Sequence, residues 1–360
     1  MTTITTVLAI GDTHFKTTNI QEVDLFIEAI IKLAIQLKPN LIVILGDVLD
    51  THERLHTIAL NKALFFIDQM RKISPTMVLV GNHDMISNQQ FLTTNHWMNS
   101  MKEWDNVTVV DTTTQKTINN HLFTFVPYVY PGRFIEALDY CKNWKESTTI
   151  FAHQEFYSCK MGAIISTEGD KWSLSFPQVV SGHIHSNQTI NNVYYCGSSI
   201  QYAENDHNII PVFTWPNNTS KKYELKEVDL NLPRKKILYK DISDIENINI
   251  ERTQDKIKLS LTGNQEEFKA FKKTKKYKDL VKDGIKVVFK NKKINFEMDE
   301  KDENNDNETK QESPLEVSEN DFQDILKRLI INQKDKNLFE IYELIINDKK
   351  INATDIMFLN

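Results

Sequence analysis

The feature that most constrains the fold is an alternation of short apolar runs with longer amphipathic stretches in the first 80 residues. Three continuous runs, rich in β-branched residues, span residues 7–10, 41–45 and 76–80. Such runs are typical of strands that are buried on both faces. Between them, apolar residues recur at helical spacing over 23–37 and 55–70, and Pro39 and Pro75 end these helices. This β-α-β-α-β order predicts a parallel sheet with helices on its faces.

The pattern continues through the rest of the first domain. Further strands are predicted at residues 107–110, 122–126, 149–152, 179–181 and 193–196. One helix is predicted to contain Trp97 and Trp104, and a second helix is predicted over residues 133–142. A polar turn is predicted over residues 217–220. The first domain is therefore predicted to span residues 1–228.

The remaining chain changes character three times. Residues 229–298 contain eleven lysines between 269 and 293 and alternate like strands on either side of a helical stretch over 265–277, which predicts a small α+β domain. Residues 299–316 are acidic and Asn-rich, which is typical of a disordered linker. Residues 317–360 contain two amphipathic stretches, at 322–330 and 338–346, which predict a helical hairpin.

Composition narrows the class of protein. The chain has 360 residues, 40% of them hydrophobic, and a net charge of -6, so a core of more than one domain is expected. Cys141, Cys159 and Cys196 are widely spaced, which disfavours a disulfide framework. The N-terminus has no signal-peptide pattern, and the apolar runs are too short to cross a membrane. We therefore expect a soluble, intracellular protein without a membrane partner.

Metal-binding side chains follow five of the predicted strands. They are Asp12, His14, Asp47, Asn82, His153, His183 and His185. Because the carboxyl ends of strands in an open α/β sheet form one rim, we expect these seven groups to converge. Glycine precedes four of the five groups, which lets the backbone turn sharply there.

The donor set predicts the kind of metal and its chemistry. Carboxylate, amide and imidazole together suit Mn, Fe, Zn or Co better than Mg or Ca. One bridging carboxylate can hold two ions about 3.5–4 Å apart, and such a pair binds a phosphate and activates water for in-line attack. The sequence therefore predicts a two-metal phosphoesterase.

The order of these motifs resembles the calcineurin-like metallophosphoesterase superfamily over roughly residues 5–215. The motifs are G-D-x-H, G-D, G-N-H-D, a strand-end His and G-H-x-H. The following Gly197-Ser198-Ser199-Ile200-Gln201 with Glu204 is similar to the Mre11/SbcD nucleases, particularly the shorter forms of phages and large DNA viruses. The expected fold class is α/β: a layered α/β/β/α metallophosphoesterase sandwich, then the small α+β domain and the C-terminal hairpin.

The resemblance implies a role for each residue. Asp12, His14, Asp47 and His185 would hold one ion, and Asp47, Asn82, His153 and His183 the other, with Asp47 bridging. His83 would contact the phosphate or protonate the leaving oxygen, which suits an ordinary pKa of about 6.5. Asp84 would orient His83. The stretch from Asp50 to Arg54 departs from the Val-Asp-Arg-Gly of serine/threonine protein phosphatases and disfavours that activity.

Several residues keep two interpretations. His52 either contacts the substrate or is a solvated loop histidine. The lysines of the predicted small domain either neutralise DNA phosphates or form a solvated face. Those predicted to contact DNA are Lys272, Lys273, Lys275 and Lys276. Trp97 and Trp104 either stack on nucleotides or pack in the core, with packing favoured. His56, His96, His121 and His207 are interpreted as structural or surface residues.

The function predicted from these observations is a DNA nuclease for repair, recombination or replication. A metal-bound hydroxide would attack a phosphodiester, with two Mn²⁺ ions as the expected cofactors. The resemblance implies that a Rad50/SbcC-type ATPase docks on residues 317–360, which could instead cap the protein's own core, and a homodimer is possible. Alternatives are a small-molecule phosphomonoesterase or cyclic-nucleotide phosphodiesterase, and a non-enzymatic scaffold, which the complete ligand set disfavours.

Overall fold

The computed structural model describes residues 3–52, 54–201, 209–247, 250, 255–291, 330 and 342. In chain order the elements are β1 (Thr5–Ile10), α1 (Ile20–Leu37), β2 (Leu41–Ile44), α2 (Thr57–Ile73), β3 (Thr76–Leu79), β4 (Val107–Val110), β5 (Thr114–Ile118), β6 (His121–Val126), α3 (Phe134–Leu138), β7 (Thr149–His153), β8 (Lys160–Met161), β9 (Ile164–Ile165), β10 (Gln178–Gly182), β11 (Gln188–Ile190), β12 (Val193–Tyr195), β13 (Ile209–Trp215), β14 (Glu224–Asp229), β15 (Lys235–Asp241), β16 (Lys256–Gly263), α4 (Gln265–Lys272), α5 (Lys275–Lys282) and β17 (Lys286–Asn291). Short 3-10 helices span Asn99–Glu103, Trp144–Glu146 and Ile242–Asn247.

Two six-stranded sheets lie between Thr5 and Asp229. The first has the order β14-β13-β1-β2-β3-β4, and the second has the order β11-β12-β10-β7-β6-β5. In the first sheet β1 to β4 are parallel, and β13 and β14 continue the sheet antiparallel at one edge. In the second sheet β12, β10, β7 and β6 are parallel, and an antiparallel strand lies at each edge. The predicted βαβ order and the strands are confirmed.

Three apolar layers hold the sheets together. Because side chains alternate along a strand, Leu8 and Ile10 of β1 pack against α1 and α2, while Val7 and Ala9 face the second sheet. Phe123 and Phe151 supply the opposite wall of that inter-sheet core. The outer face of the second sheet is covered by α3, the 3-10 helix Trp144–Glu146 and the loop around Trp172. The layers follow the predicted α/β/β/α order, with a thin outer layer on the second sheet.

Two predicted helices differ from the structure. The helix predicted over 133–142 ends at Leu138, because the N–H groups of Tyr140 and Cys141 bond the carbonyls of Ala137 and Leu138, three residues earlier. The helix predicted around the two tryptophans is the 3-10 helix Asn99–Glu103, which contains neither of them. Both tryptophans pack against the apolar layer around α1 and α2, in agreement with the packing interpretation.

The lysine-rich region folds into a three-stranded parallel sheet in the order β15-β16-β17. The single predicted helical stretch is two helices, because Thr274 caps a new helix by accepting a hydrogen bond from Tyr277 N. Phe268, Phe271 and Leu280 of these helices pack on Leu259 and Leu261 of β16. The sequence pattern did not predict β15.

The C-terminal predictions lie outside the described residues. These are the linker at 299–316 and the hairpin within 317–360, of which the structure describes Ile330 and Tyr342, both helical. Among the described residues, none of the helices combines the length and apolarity needed to cross a membrane.

Candidate metal centre

The seven predicted ligands lie at the carboxyl ends of strands from both sheets. β1, β2 and β3 of the first sheet lead to Asp12, His14, Asp47 and Asn82, and β7 and β10 of the second lead to His153, His183 and His185. The register places His153, the last residue of β7, beside Gly182 of β10. The rim shared by the two sheets is therefore the candidate site.

The backbone is strained where it presents the ligands. His14, Asp47 and His183 have φ of 45°, 49° and 78°, in the left-handed region that costs a non-glycine residue about 1–3 kcal/mol. A Cβ atom on Gly81 would lie 2.2 Å from Asp47 Oδ1 and 2.3 Å from Asp47 N. Glycine is required at position 81 because the loop that carries Asn82 passes directly against the Asp47 loop.

Asp47 lies at the centre of the site. Two groups of potential ligand atoms share it, one with His14 and His83 and one with His153 and His183, and within each group the atoms lie within 4.8 Å of one another. Its Oδ2 lies 3.8 Å from His14 Nε2 and 3.4 Å from His153 Nε2, and its Oδ1 accepts a hydrogen bond of 2.8 Å from His83 N. This arrangement fits the predicted bridging carboxylate.

Asn82, His153 and His183 form the second group with Asp47. Asn82 Oδ1 lies 3.0 Å from His153 Nε2 and 2.9 Å from His183 Nδ1. His153 Nδ1 donates to Leu45 O at 2.7 Å, which leaves the lone pair of the neutral ring on Nε2, facing the site. Asp12 accepts two hydrogen bonds from His183 N, at 2.9 and 3.1 Å, which orients the loop that carries this ligand.

The charges of this group are interdependent. Burial alone would lower the pKa of His153, but the charge of Asp47 outweighs it and raises that pKa to about 9. Burial and the adjacent His153 lower the pKa of His183 to about 3. In the absence of metal, the proton on His153 balances the negative charge of Asp47. A bound divalent cation would balance that charge instead.

His14 and His185 lie on the other side of Asp47. Their Nε2 atoms are 2.9 Å apart, and His14 Nδ1 lies 3.4 Å from Asp50 Oδ1. Burial lowers the pKa of His14, but the hydrogen bond with Asp50 and the charge of Asp47 outweigh it and raise the pKa. Imidazole and carboxylate donors converge at both ends of the site, so the residues fit two divalent cations.

Asp84 has a different partner from the one expected. His83 Nδ1 donates to the carbonyl of Asp50 at 2.9 Å, whereas the buried carboxylate of Asp84 accepts hydrogen bonds from four N–H groups. The donors are Gly81 N at 3.1 Å, Trp97 Nε1 at 2.9 Å, Leu49 N at 3.3 Å and Val48 N at 3.4 Å. Burial and repulsion by Asp47 raise the pKa of Asp84 to about 7. Asp84 therefore fastens the Asp47 and Asn82 loops together and does not orient the His83 ring.

His52 and Tyr128 lie against the predicted site residues. The His52 ring stacks on His83 with centroids 4.5 Å apart and planes at 21°. The Tyr128 ring lies 5.4 Å from that of His183, and burial raises the pKa of Tyr128 to about 12. Sequence reasoning missed Tyr128, although it follows the end of β6 by two residues and so obeys the strand-end rule that found the ligands.

The four lysines predicted to contact DNA lie at the helices α4 and α5, which cover one face of the β15-β16-β17 sheet. Lys272 ends α4, Lys273 follows it, and Lys275 and Lys276 begin α5. Lys272 Nζ lies 4.9 Å from the ring centroid of Phe289. Their contact with a substrate stays a prediction.

An α/β/β/α sandwich with these donors on its rim defines a metal-dependent phosphoesterase. The family model described as calcineurin-like phosphoesterase matches residues 5–187. The chain therefore belongs to the calcineurin-like phosphoesterase family.

Two viral proteins are similar over most of the chain. "Putative phosphoesterase 244L" of Invertebrate iridescent virus 6 is 49% identical over 277 residues, which are 75% of this chain and 98% of that protein. "Putative phosphoesterase 078R" of Invertebrate iridescent virus 3 is 46% identical over 293 residues, 79% and 84% of the two chains.

Solved structures are similar at lower identity. A purple acid phosphatase from yellow lupin (Lupinus luteus) is 9% identical with a TM-score of 0.42, covering 64% of this chain and 52% of that one. A dimetal phosphatase from Danio rerio is 13% identical with a TM-score of 0.42, covering 63% and 99%.

Proposed function

We propose that this phosphoesterase is a DNA nuclease of the Mre11/SbcD type that uses two Mn²⁺ ions. Two bound divalent ions would polarise the scissile phosphate and lower the pKa of a coordinated water. Backbone N–H groups of three ligand-bearing loops, those of Leu49, Gly81 and His183, donate hydrogen bonds to the carboxylates of Asp84 and Asp12 and hold these loops in place. DNA as the substrate rests on the features that follow.

The observation that carries this proposal is a direct link between the ligand loop and the lysine-rich domain. Ser198 N donates to His185 O at 2.9 Å. Three residues later, Gln201 Nε2 donates to Lys235 O at 2.9 Å, and Lys235 N donates to Gln201 Oε1 at 2.6 Å. The nuclease-like tail motif thus joins a metal-ligand segment to a basic domain, which favours a polyanionic substrate that contacts both.

The cleft beside His83 supports the same substrate class. A cleft of about 850 Å³ is lined by Asp50, Thr51, His52, Arg54 and Ile86–Gln89. It is open to solvent and not enclosed, which suits a polymer that extends beyond the reacting phosphate better than a small molecule that is surrounded.

His83 contacts the substrate in this proposal. Burial lowers its pKa although the charge of Asp47 opposes this, so the neutral ring is favoured near pH 7. Because Nδ1 donates to Asp50 O, the neutral ring presents the lone pair of Nε2. Donating a proton to the leaving oxygen therefore requires the protonated ring, and His52, stacked on it, restricts its orientation.

The partners remain proposals. We propose that a Rad50/SbcC-type ATPase docks on residues 317–360, and that the protein acts inside the cell, in the cytoplasm or at sites of DNA replication, with a homodimer as an active form. Lys272, Lys273, Lys275 and Lys276 are the sequence-based phosphate contacts.

The test compares DNA with a small diester on the manganese-loaded protein. We expect cleavage of single-stranded or hairpin DNA. The His83→Asn variant should retain both ions and lose about 100-fold or more in rate, whereas His56→Asn, at an exposed position outside the site, should stay active. Hydrolysis of bis-p-nitrophenyl phosphate or cyclic nucleotides without DNA cleavage would overturn the nuclease proposal and support the small-molecule alternative.

A further inference from the structure

The small sheet has two chemically different faces. Side chains that neighbour one another in the register of a parallel sheet lie on the same face. Leu238, Leu259 and Val287 are one such row, and this face packs against α4 and α5. The intervening rows therefore belong to the opposite face, which includes Tyr239, Ser260 and Val288 in one row and Lys258 with Lys286 in another.

This opposite face carries an exposed aromatic ring among lysines. Tyr239 is 64% exposed, and Lys286 and Lys290 are exposed at the edge strand β17. Lys290 Nζ lies 5.2 Å from the Tyr239 ring centroid. Asp241, the one acidic residue in these rows, accepts hydrogen bonds from Ser243 N and Oγ. We name the surface of Tyr239, Lys258, Lys286 and Lys290 the lysine–tyrosine face.

The central strand makes room for this arrangement. β16 lies between the strands of Tyr239 and Lys290, so the Lys290 side chain has to pass over it. The residues beneath are small, Ser260 and Thr262. Ser260 is 1% exposed, and its Oγ has no hydrogen-bond partner among the described residues. These small side chains let the Lys290 side chain cross β16 and reach the Tyr239 ring.

The face begins where the small domain meets the catalytic domain. At the start of its strands, Lys256 Nζ lies 2.6 Å from Glu22 Oε1, and Lys235 Nζ donates to Gln201 O at 2.7 Å. A ligand bound on the lysine–tyrosine face would therefore lie on the sheet that Gln201 connects to the metal-ligand segment.

We propose that the lysine–tyrosine face binds single-stranded nucleic acid. Tyr239 stacks on a base, which is sequence-tolerant because every base has a π-face, and the exposed Lys286 and Lys290 neutralise phosphates. A polyanion with flat, unpaired bases complements a face that combines an exposed aromatic ring with exposed lysines. Duplex DNA does not fit equally, because its bases are already stacked. The role of this surface rests on the proposed nuclease function, but its binding of nucleic acid can be measured separately from cleavage.

The experiment measures binding without cleavage. Full-length protein in EDTA is titrated into a fluorescein-labelled dT oligonucleotide of about 15 nucleotides, close to the upper site size of single-strand binding domains, at several salt concentrations. The Tyr239→Leu variant should bind about 5–150-fold more weakly, the effect of losing one stacked base, with the same salt dependence. Tyr239→Phe should restore binding, because the ring is kept.

A matched pair of lysine variants separates the two faces. Replacing Lys286 and Lys290 with Gln should reduce the slope of log K against log [salt] by about 1.4, or 0.7 for each phosphate that is no longer neutralised. Replacing Lys278 and Lys282, which are exposed on α5 on the helical side, should reduce it less. Circular dichroism and the melting temperature confirm that each variant is folded.

Three results would overturn the proposal. They are wild-type affinity of Tyr239→Leu for dT, an equal loss of affinity for a duplex of the same length, and a larger slope change from the helical-side pair. If dT binding behaves as expected but no DNA is cleaved with manganese, the binding surface stands and the proposed function falls.

Discussion

Replacing Asp84 with Ala tests whether this buried carboxylate is a structural link or an orienting group for His83. The change removes the acceptor of four N–H groups, of which those of Trp97 at 2.9 Å and Gly81 at 3.1 Å have normal hydrogen-bond lengths. An unsatisfied buried donor costs about 1–3 kcal/mol. Leaving these two donors without an acceptor would therefore lower the free energy of unfolding by about 2–6 kcal/mol. Relief of the repulsion between Asp84 and Asp47 places the expected loss in the lower half of that range.

The same variant should weaken metal binding. Because Asp84 connects the Asp47 and Asn82 loops, both ligands become less ordered, and the removal of such a supporting group typically costs about 10–100-fold in metal affinity. Urea unfolding of the metal-free protein gives the first quantity, and calorimetric titration with Mn²⁺ gives the second.

Asp139 provides a matched control for this prediction. It also accepts an indole N–H at 2.9 Å, from Trp144, but it is exposed and outside the site. Asp139→Ala should change stability by less than about 1 kcal/mol and leave metal affinity unchanged. If Asp84→Ala retained wild-type stability and metal affinity and lost only turnover, the reasoning would be refuted and the orienting role restored.

Two further variants extend the account. Gly81→Ala should lose metal affinity by about 10-fold or more, since a Cβ there meets Asp47 Oδ1 at 2.2 Å, whereas Gly132→Ala, in open space, should retain it in the same titration. Burial lowers the pKa of His96, whose Nδ1 accepts a hydrogen bond from Met98 N and whose Nε2 lies 3.2 Å from Asp111. Since the unfolded state then binds more protons, stability should fall as the pH drops below about 6.5. His96→Gln should flatten this fall in urea midpoints measured from pH 7.5 to 5, and an unchanged slope would contradict the assignment.

The first sheet and the ligands were predictable because each signal is local. Asp12, Asp47 and Asn82 follow continuous apolar runs, and a run that is buried on both faces leaves few interpretations of what comes next. The rule that ligands lie at strand ends then places them on one rim without knowledge of tertiary contacts.

The contacts that differ depend on loops that tertiary structure brings together. Asp84 accepts hydrogen bonds from Val48 N and Leu49 N, which are 36 and 35 residues earlier in the chain. No local pattern in the sequence indicates such distant partners. The left-handed backbone of His14 and Asp47 is likewise invisible in the sequence. β15 escaped prediction because three lysines interrupt its apolar alternation, which the exposed edge position of the strand permits.

The most direct test of the central claim is the number of metal ions per chain. Manganese-loaded protein, desalted and measured by elemental analysis, should contain two ions, and Asp47→Asn should hold at most one, because the carboxylate shared by both groups of ligands is gone. A wild-type ratio of one or less, or two ions retained in the Asp47 variant, would contradict a dinuclear centre bridged by Asp47.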